Sequence, residues 1–207
     1  MRVQDILTQQ PMAQVEARLC RRTDVNCSEP QSPVVLSDER GLVRFDVENE
    51  DPVQGFTGYA RLTRNDLMPA LYFFNPPIEG STEMLPVQLL RLSVVGALTQ
   101  QVGVSLNFER GVVLLSAFDC RNEPAAGVTV TTDDPSNVSE LFYSVGGLPQ
   151  ATATSTDDSG YAGLINVPPG KLSITGRLMP TRRVLGTINL LVGPGSITYS
   201  RMVPLGI

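Results

Sequence analysis

The sequence predicts an all-β protein made of two tandem Greek-key β-sandwich domains joined by a short helix. Its 18 Gly and 16 Pro over 207 residues are typical of many short strands separated by turns. Apolar and β-branched runs suited to strands lie between these turns. A hairpin signature also occurs twice, once at residues 37–47 and once at residues 154–176. This repetition, in a chain of this length, predicts two similar domains of about 100 residues each.

Each hairpin signature contains an Asp and, three residues later, a Gly. Asp38 precedes Gly41, and Asp157 precedes Gly160. An Asp side chain can accept hydrogen bonds from backbone amides ahead of it, and Gly can adopt a positive φ without a Cβ clash. We therefore expect these four residues to be structural turn residues rather than metal ligands.

The domain boundaries follow from the order of the predicted elements. Residues 1–92 form the first predicted sandwich, and residues 106–207 form the second. Between them, residues 93–105 are predicted to be a linker helix with Ser93 as the N-cap and Gly103 beyond its end.

The most regular strand pattern lies at residues 42–48, where apolar and charged side chains alternate. An acidic loop at residues 48–52 follows it. We interpret this loop as a solvated surface segment, and a calcium site is the less favoured alternative.

Composition excludes several classes of function. The chain has no His, which removes Ser-His-Asp catalysis, Cys-His catalysis and His-ligated metal centres. A net charge of −5 and a pI near 4.8 disfavour binding to nucleic acid. The sequence also lacks a run of about 20 apolar residues that would predict a membrane span. We expect a protein that is not an enzyme and has no cofactor, no metal, no nucleic-acid partner and no membrane span.

The cysteines indicate the compartment. Cys20 ends a predicted strand and Cys27 precedes a Pro-bounded return, so the chain can bring the two residues within disulfide distance. We predict a Cys20–Cys27 disulfide, a free Cys120 and an extracytoplasmic location: secreted, periplasmic or lipid-anchored at the outer membrane. Three reduced cysteines in a cytosolic protein are the alternative, and a zinc site is weaker still. Residues 1–12 contain no apolar signal-peptide core, so we expect any export signal to lie outside this sequence.

Residues 133–150 form a long insertion relative to the first hairpin copy. Leu141, Phe142 and Tyr143 within it are the candidate binding loop, because long loops on β scaffolds often carry function. A loop without a function, or an extra hairpin at the edge of the sheet, is an equally good interpretation of this insertion. A second aromatic run, at residues 72–74, favours core and interface packing over a sugar-binding platform.

Two blocks of the second domain carry a family resemblance. Residues 115–130 read LSAFDCRNEPAAGVTV, and residues 156–170 read TDDSGYAGLINVPPG. This chain resembles the carboxypeptidase-regulatory-like, or transthyretin-like, β-sandwich domains over residues 111–203, and more weakly over residues 13–92. The two-copy arrangement with its cysteines also resembles secreted or lipid-anchored proteins of myxobacteria.

This resemblance implies a fold more than an activity. Intradiol dioxygenases and hydroxyisourate hydrolases share the fold but need His residues, which this chain lacks. We expect a non-catalytic structural or interaction module of a secreted or cell-surface protein, with a protein or glycan partner and with homo-oligomers as an option. Two alternatives remain: a glycan- or peptidoglycan-binding protein, which the absence of Trp weakens, and a subunit of a surface filament or layer formed through exposed edge strands.

Overall fold

The computed structural model describes residues 1–24, 26–46, 55–78, 84–134 and 138–204. The chain divides into two compact units, Met1–Val95 and Gly96–Ile207. Helix α1 (Leu92–Gln101) begins in unit 1 and ends in unit 2.

Unit 1 contains two sheets. Strands β2 (Glu16–Arg21), β3 (Val35–Leu36), β4 (Gly58–Thr63) and β5 (Ala70–Phe73) pair antiparallel in the order β5-β4-β2-β3. Strands β1 (Arg2–Asp5) and β6 (Pro86–Leu89) form a parallel pair. The aromatic run at residues 72–74 lies in the core, as predicted: Tyr72, Phe73 and Phe74 are all buried. Tyr59 stacks on Phe73 with ring centroids 4.9 Å apart.

Unit 2 is a sandwich of two sheets. The larger sheet contains β7 (Gly111–Ala117), β9 (Glu140–Val145), β10 (Leu148–Gln150), β11 (Tyr161–Val167) and β14 (Ile197–Met202), in the order β10-β9-β11-β7-β14. The smaller sheet contains β8 (Val128–Thr132), β12 (Gly170–Leu178) and β13 (Arg183–Val192), in the antiparallel order β13-β12-β8. The sheets pack closely where Gly176 of β12 faces Met202 of β14. A Cβ on Gly176 would overlap the Met202 sulfur, so a residue with a side chain does not fit there.

The prediction of an all-β sandwich fold is therefore confirmed. The chain is built from short strands and turns. The predicted helix forms, but it begins at Leu92, so Ser93 is not its N-cap. Its end is as expected: Gly103 has a φ of +77°, and the N–H groups of Gly103 and Val104 donate to the carbonyls of Gln100 and Thr99. This is the hydrogen-bond pattern of a Schellman C-cap.

The strand predicted at residues 42–48 is wrong over its described part. Leu42 makes one isolated bridge to Arg2, and residues 43–46 form no strand. Val43 is buried and exchanges backbone hydrogen bonds with Met1. A strand needs a partner strand along its length to form a ladder, and among the described residues this segment pairs only at isolated points, through Met1 and Arg2. Residues 47 and 48, and the acidic loop considered for calcium, lie outside the described residues.

Candidate functional site

The predicted disulfide is confirmed. Cys20 and Cys27 are bonded with their Cα atoms 5.2 Å apart, and both residues are buried. The small loop between them is anchored on unit 1, because the Tyr59 hydroxyl donates to the Asp24 carbonyl at 2.6 Å. The Asp24 carboxylate accepts from the Glu29 N–H at 2.8 Å, and the backbone hydrogen bonds from Glu29 and Ser28 lower the pKa of Asp24. Cys120, by contrast, is exposed and is not in a disulfide.

Each of the two Asp–Gly turns ends at a glycine with a positive φ. The Asp38 carboxylate accepts from the N–H groups of Arg40 and Leu42 at 2.9 and 2.7 Å, and Gly41 has a φ of +72°. In the second turn, the Gly160 N–H donates to the Asp157 carbonyl at 3.0 Å, and Gly160 has a φ of +70°.

The Asp157 side chain also hydrogen-bonds the neighbouring turn at Gly146. One carboxylate oxygen accepts from Ser159, and the other accepts from the Gly146 N–H at 2.9 Å. The Ser159 side-chain hydrogen bond lowers the pKa of Asp157, and the bond from Gly146 adds to this effect. Every oxygen of this carboxylate thus has a donor within the protein, as a structural turn residue requires.

The candidate binding loop differs from the prediction. Leu141, Phe142 and Tyr143 lie in strand β9, and Phe142 and Tyr143 are buried. The insertion is a hairpin of β9 and β10 that turns at Gly146 and Gly147, which corresponds to the alternative of an extra edge hairpin. These three residues therefore present no aromatic surface for a ligand.

The buried side chains of β9 have structural roles on opposite faces of the sheet. Phe142 packs with Val102 and Ile165 in a small core, and its ring lies directly over Gly163, where a Cβ would overlap it. The Tyr143 hydroxyl instead accepts a hydrogen bond from the Val130 N–H on β8 at 2.9 Å. Burial raises the pKa of Tyr143, and the hydrogen bond from Val130 opposes that rise in part.

A charged network that the sequence did not reveal lies in unit 1. Arg91 contacts Asp5 at 2.7 Å and Asp66 at 2.9 Å, and Arg64 contacts Asp66 at 2.6 Å. Asp5 is only 3% exposed, and its carboxylate also accepts from the N–H groups of residues 7 and 8. These side chains neutralise one another, so the network fixes the end of β1 beside the start of α1 rather than offering a reactive group.

Two kinds of feature are absent from the described residues. Among them, no three metal-ligating side chains come together in a group that could hold a metal ion. No helix in the described ranges is long and apolar enough to cross a membrane. What unit 2 does present is a set of sheet edges, and strand β13, with ten residues, is an edge of its sheet.

No protein-family model matches the chain, and no curated protein matches its sequence. Solved structures with some similarity include the TIE protein of Bacillus anthracis, at 13% identity and a TM-score of 0.30, and a streptococcal ancillary pilin, at 10% identity and a TM-score of 0.26. A variant of the shaft pilin SpaA from Lactobacillus rhamnosus GG is similar at 10% identity and a TM-score of 0.32.

These similarities cover different shares of the two chains. The match covers 98%, 99% and 100% of this chain, and 33%, 61% and 97% of the three similar chains in the same order. The chain thus spans less than two thirds of the length of the first two. At these TM-scores we base no functional argument on the three structures.

Proposed function

We propose that this chain is a non-catalytic structural and interaction module that works outside the cytoplasm. The observation that carries the proposal is the buried Cys20–Cys27 disulfide. Structural disulfides persist in oxidising compartments and are rare in the cytosol, where thiols are kept reduced. The disulfide closes a loop on a β scaffold, which is an arrangement typical of small secreted domains.

The side chains support a structural role. The chain has no His, and the carboxylates described above are satisfied by backbone amides, serine hydroxyls or arginines. Catalytic sites need acids and bases whose pKa values are moved towards neutrality. In this chain, hydrogen bonding instead lowers the pKa values of Asp24 and Asp157.

The carboxypeptidase-regulatory-like resemblance is part of this proposal for unit 2. The two sequence blocks that carry it, residues 115–130 and 156–170, include parts of β7, β8 and β11 together with the turn after β7 and the Asp157 turn. We propose that this unit is such a domain, used for its surface and its edges. A glycan-binding role has less support, because residues 72–74 and the aromatic residues of β9 are buried.

Cys120 offers a direct test of the compartment, because it is exposed and not in a disulfide. Intact cells that produce the full gene product are treated with a membrane-impermeant maleimide, and labelling is mapped by mass spectrometry. We expect labelling at Cys120 before lysis, with Cys20 and Cys27 labelled only after reduction and unfolding. A Cys120→Ser variant is the matched control and should take up no label. Labelling that appears only after lysis would contradict the proposal.

A further inference from the structure

We propose that the edge of strand β13, which no described strand covers, is a homodimer interface, at which two copies of this chain pair antiparallel through Thr187 and Asn189. The inference deepens the interaction role proposed above and rests on it. Edge strands attract other strands because their outer backbone groups are unpaired, so natural proteins protect them. Three strands of unit 2, β10, β8 and β13, differ in how they are protected.

Two edges of unit 2 are blocked. Strand β10 has only three residues, and one of them is Pro149, which has no N–H to donate. On β8, the Val130 N–H donates to the Tyr143 hydroxyl at 2.9 Å, and the Val128 N–H donates to the Thr156 hydroxyl at 2.9 Å. The Val128 carbonyl accepts from the Thr156 N–H at 3.0 Å. Both strands are thereby protected against pairing with another chain.

Among the described residues, strand β13 shows no such protection at Thr187 and Asn189; its outward Leu191 carbonyl is already bonded to the Thr198 hydroxyl. It runs for ten residues, Arg183–Val192, and its half from Thr187 to Val192 contains no Pro and no charged side chain. Thr187 and Asn189 are exposed, whereas Ile188 and Leu190 are buried. An uncharged edge of this length is the kind that accepts a further strand.

The register shows which backbone groups face outward. The N–H groups of Val128 and Val130 on β8 point away from β12. Successive residues of a strand point their backbone groups to opposite sides, so Thr131 points its backbone groups towards β12 and hydrogen-bonds Thr175 there. The backbone groups of Thr175 therefore face β8. Directly opposite Thr175 on the other side lies Thr187, whose own backbone groups must then point away from β12.

Two contacts agree with this assignment. The hydroxyls of Thr175 and Thr187 lie 2.9 Å apart, as expected for the closer side chains of a pair that is not hydrogen-bonded through the backbone. The Leu191 carbonyl accepts from the Thr198 hydroxyl at 2.8 Å, so it points away from β12. Leu191 and Thr187 are an even number of residues apart, and Asn189 between them therefore faces outward as well.

A second copy is the partner that this edge fits. With a two-fold axis at Ile188, Thr187 of each copy faces Asn189 of the other, and both residues have outward backbone groups. The two residue pairs would form about four backbone hydrogen bonds. In this register Arg183 faces the uncharged Gly193 of the other copy, so no like charges oppose each other. An isologous contact of this kind closes after two chains.

The first experiment is sedimentation of the whole chain between about 1 and 100 µM. We expect a monomer–dimer equilibrium, and we expect Asn189→Lys to raise the dimer dissociation constant by up to about fivefold, because it places two positive charges at diagonal positions about 7–8 Å apart across the two-fold axis. Thr131→Lys is the matched control: it adds the same charge to the same face at the blocked β8 edge and should leave the dimer unchanged. A wild-type monomer at every concentration, or equal effects of the two variants, would overturn the proposal.

The second experiment tests the register in a Cys120→Ser background. Facing residues of a hydrogen-bonded antiparallel pair have Cα atoms about 5.5 Å apart, which a disulfide can bridge. A mixture of the Thr187→Cys and Asn189→Cys chains should therefore form the mixed disulfide faster than either chain alone forms its own. Equal rates for all three species would refute the Ile188-centred register. A failed dimer would leave the compartment assignment intact, because that depends on Cys120 labelling.

Discussion

Replacing Gly160 by Ala should destabilise the protein far more than the same replacement at another glycine with a positive φ. Gly160 has a φ of +70°, and an Ala side chain there would place its Cβ 2.5 Å from the Ala117 carbonyl oxygen and 3.1 Å from the Ala125 nitrogen. The conformational strain alone costs about 1–2 kcal/mol in the free energy of unfolding. The contact with the backbone adds to it, because the neighbouring strand must move.

The added cost follows from the hydrogen bonds at that point. The Ala117 N–H donates to the Gly160 carbonyl at 2.8 Å, and the Ala125 N–H donates to the Ala117 carbonyl at 2.9 Å. Relieving the Cβ contact pulls both bonds out of line, and each is worth about 1 kcal/mol. We therefore expect Gly160→Ala to lower the free energy of unfolding by about 3–4 kcal/mol.

Gly147 provides the matched control. Its φ is +84°, but nothing lies within 4 Å of an added Cβ, so Gly147→Ala tests the strain without the contact. It should cost only about 1–2 kcal/mol. Urea unfolding followed by circular dichroism measures both values. Equal costs for the two variants would show that the Ala117 contact is relieved without loss, which would refute the reasoning.

Local chemistry made much of the fold predictable. The end of α1 follows from Gly103, since few other residues adopt the left-handed conformation that closes a Schellman motif. The disulfide was predictable because only a short loop separates its cysteines. In each case the determining residues lie within a few positions of one another.

Long-range contacts explain the rest. Arg91 and Asp5 are separated by 86 positions, and no local pattern pairs them. The sequence left a binding loop and an extra edge hairpin equally open for the 133–150 insertion, and the contact that holds the hairpin is distant: the Tyr143 hydroxyl accepts from the Val130 N–H at the β8 edge. The strand pattern at residues 42–46 likewise depended on a ladder partner, and the described residues supply only isolated contacts at Met1 and Arg2. In these cases the structure depends on hydrogen-bond partners for polar groups that are distant in sequence, and not on local propensity.

Three further predictions concern stability. Gly96→Ala should raise the free energy of unfolding by about 0.5–1 kcal/mol, because Gly96 is an exposed helix residue with open space around its Cα; a loss in urea unfolding would contradict this. Cys27→Ser should cost about 2–3 kcal/mol, and reducing agent should then have no further effect on the urea midpoint. The third prediction is that Asp5 makes stability depend on pH. Burial raises the pKa of Asp5, but hydrogen bonds from residues 7, 8 and Arg91 outweigh it and hold the pKa below its usual value. A depressed carboxyl pKa stabilises the folded state above the unfolded value of about 3.9, and this contribution is lost as the pH falls through the folded pKa. Asp5→Asn should therefore flatten the fall in melting temperature below about pH 4, and an unchanged slope would show that the Asp5–Arg91 pair does not contribute to it.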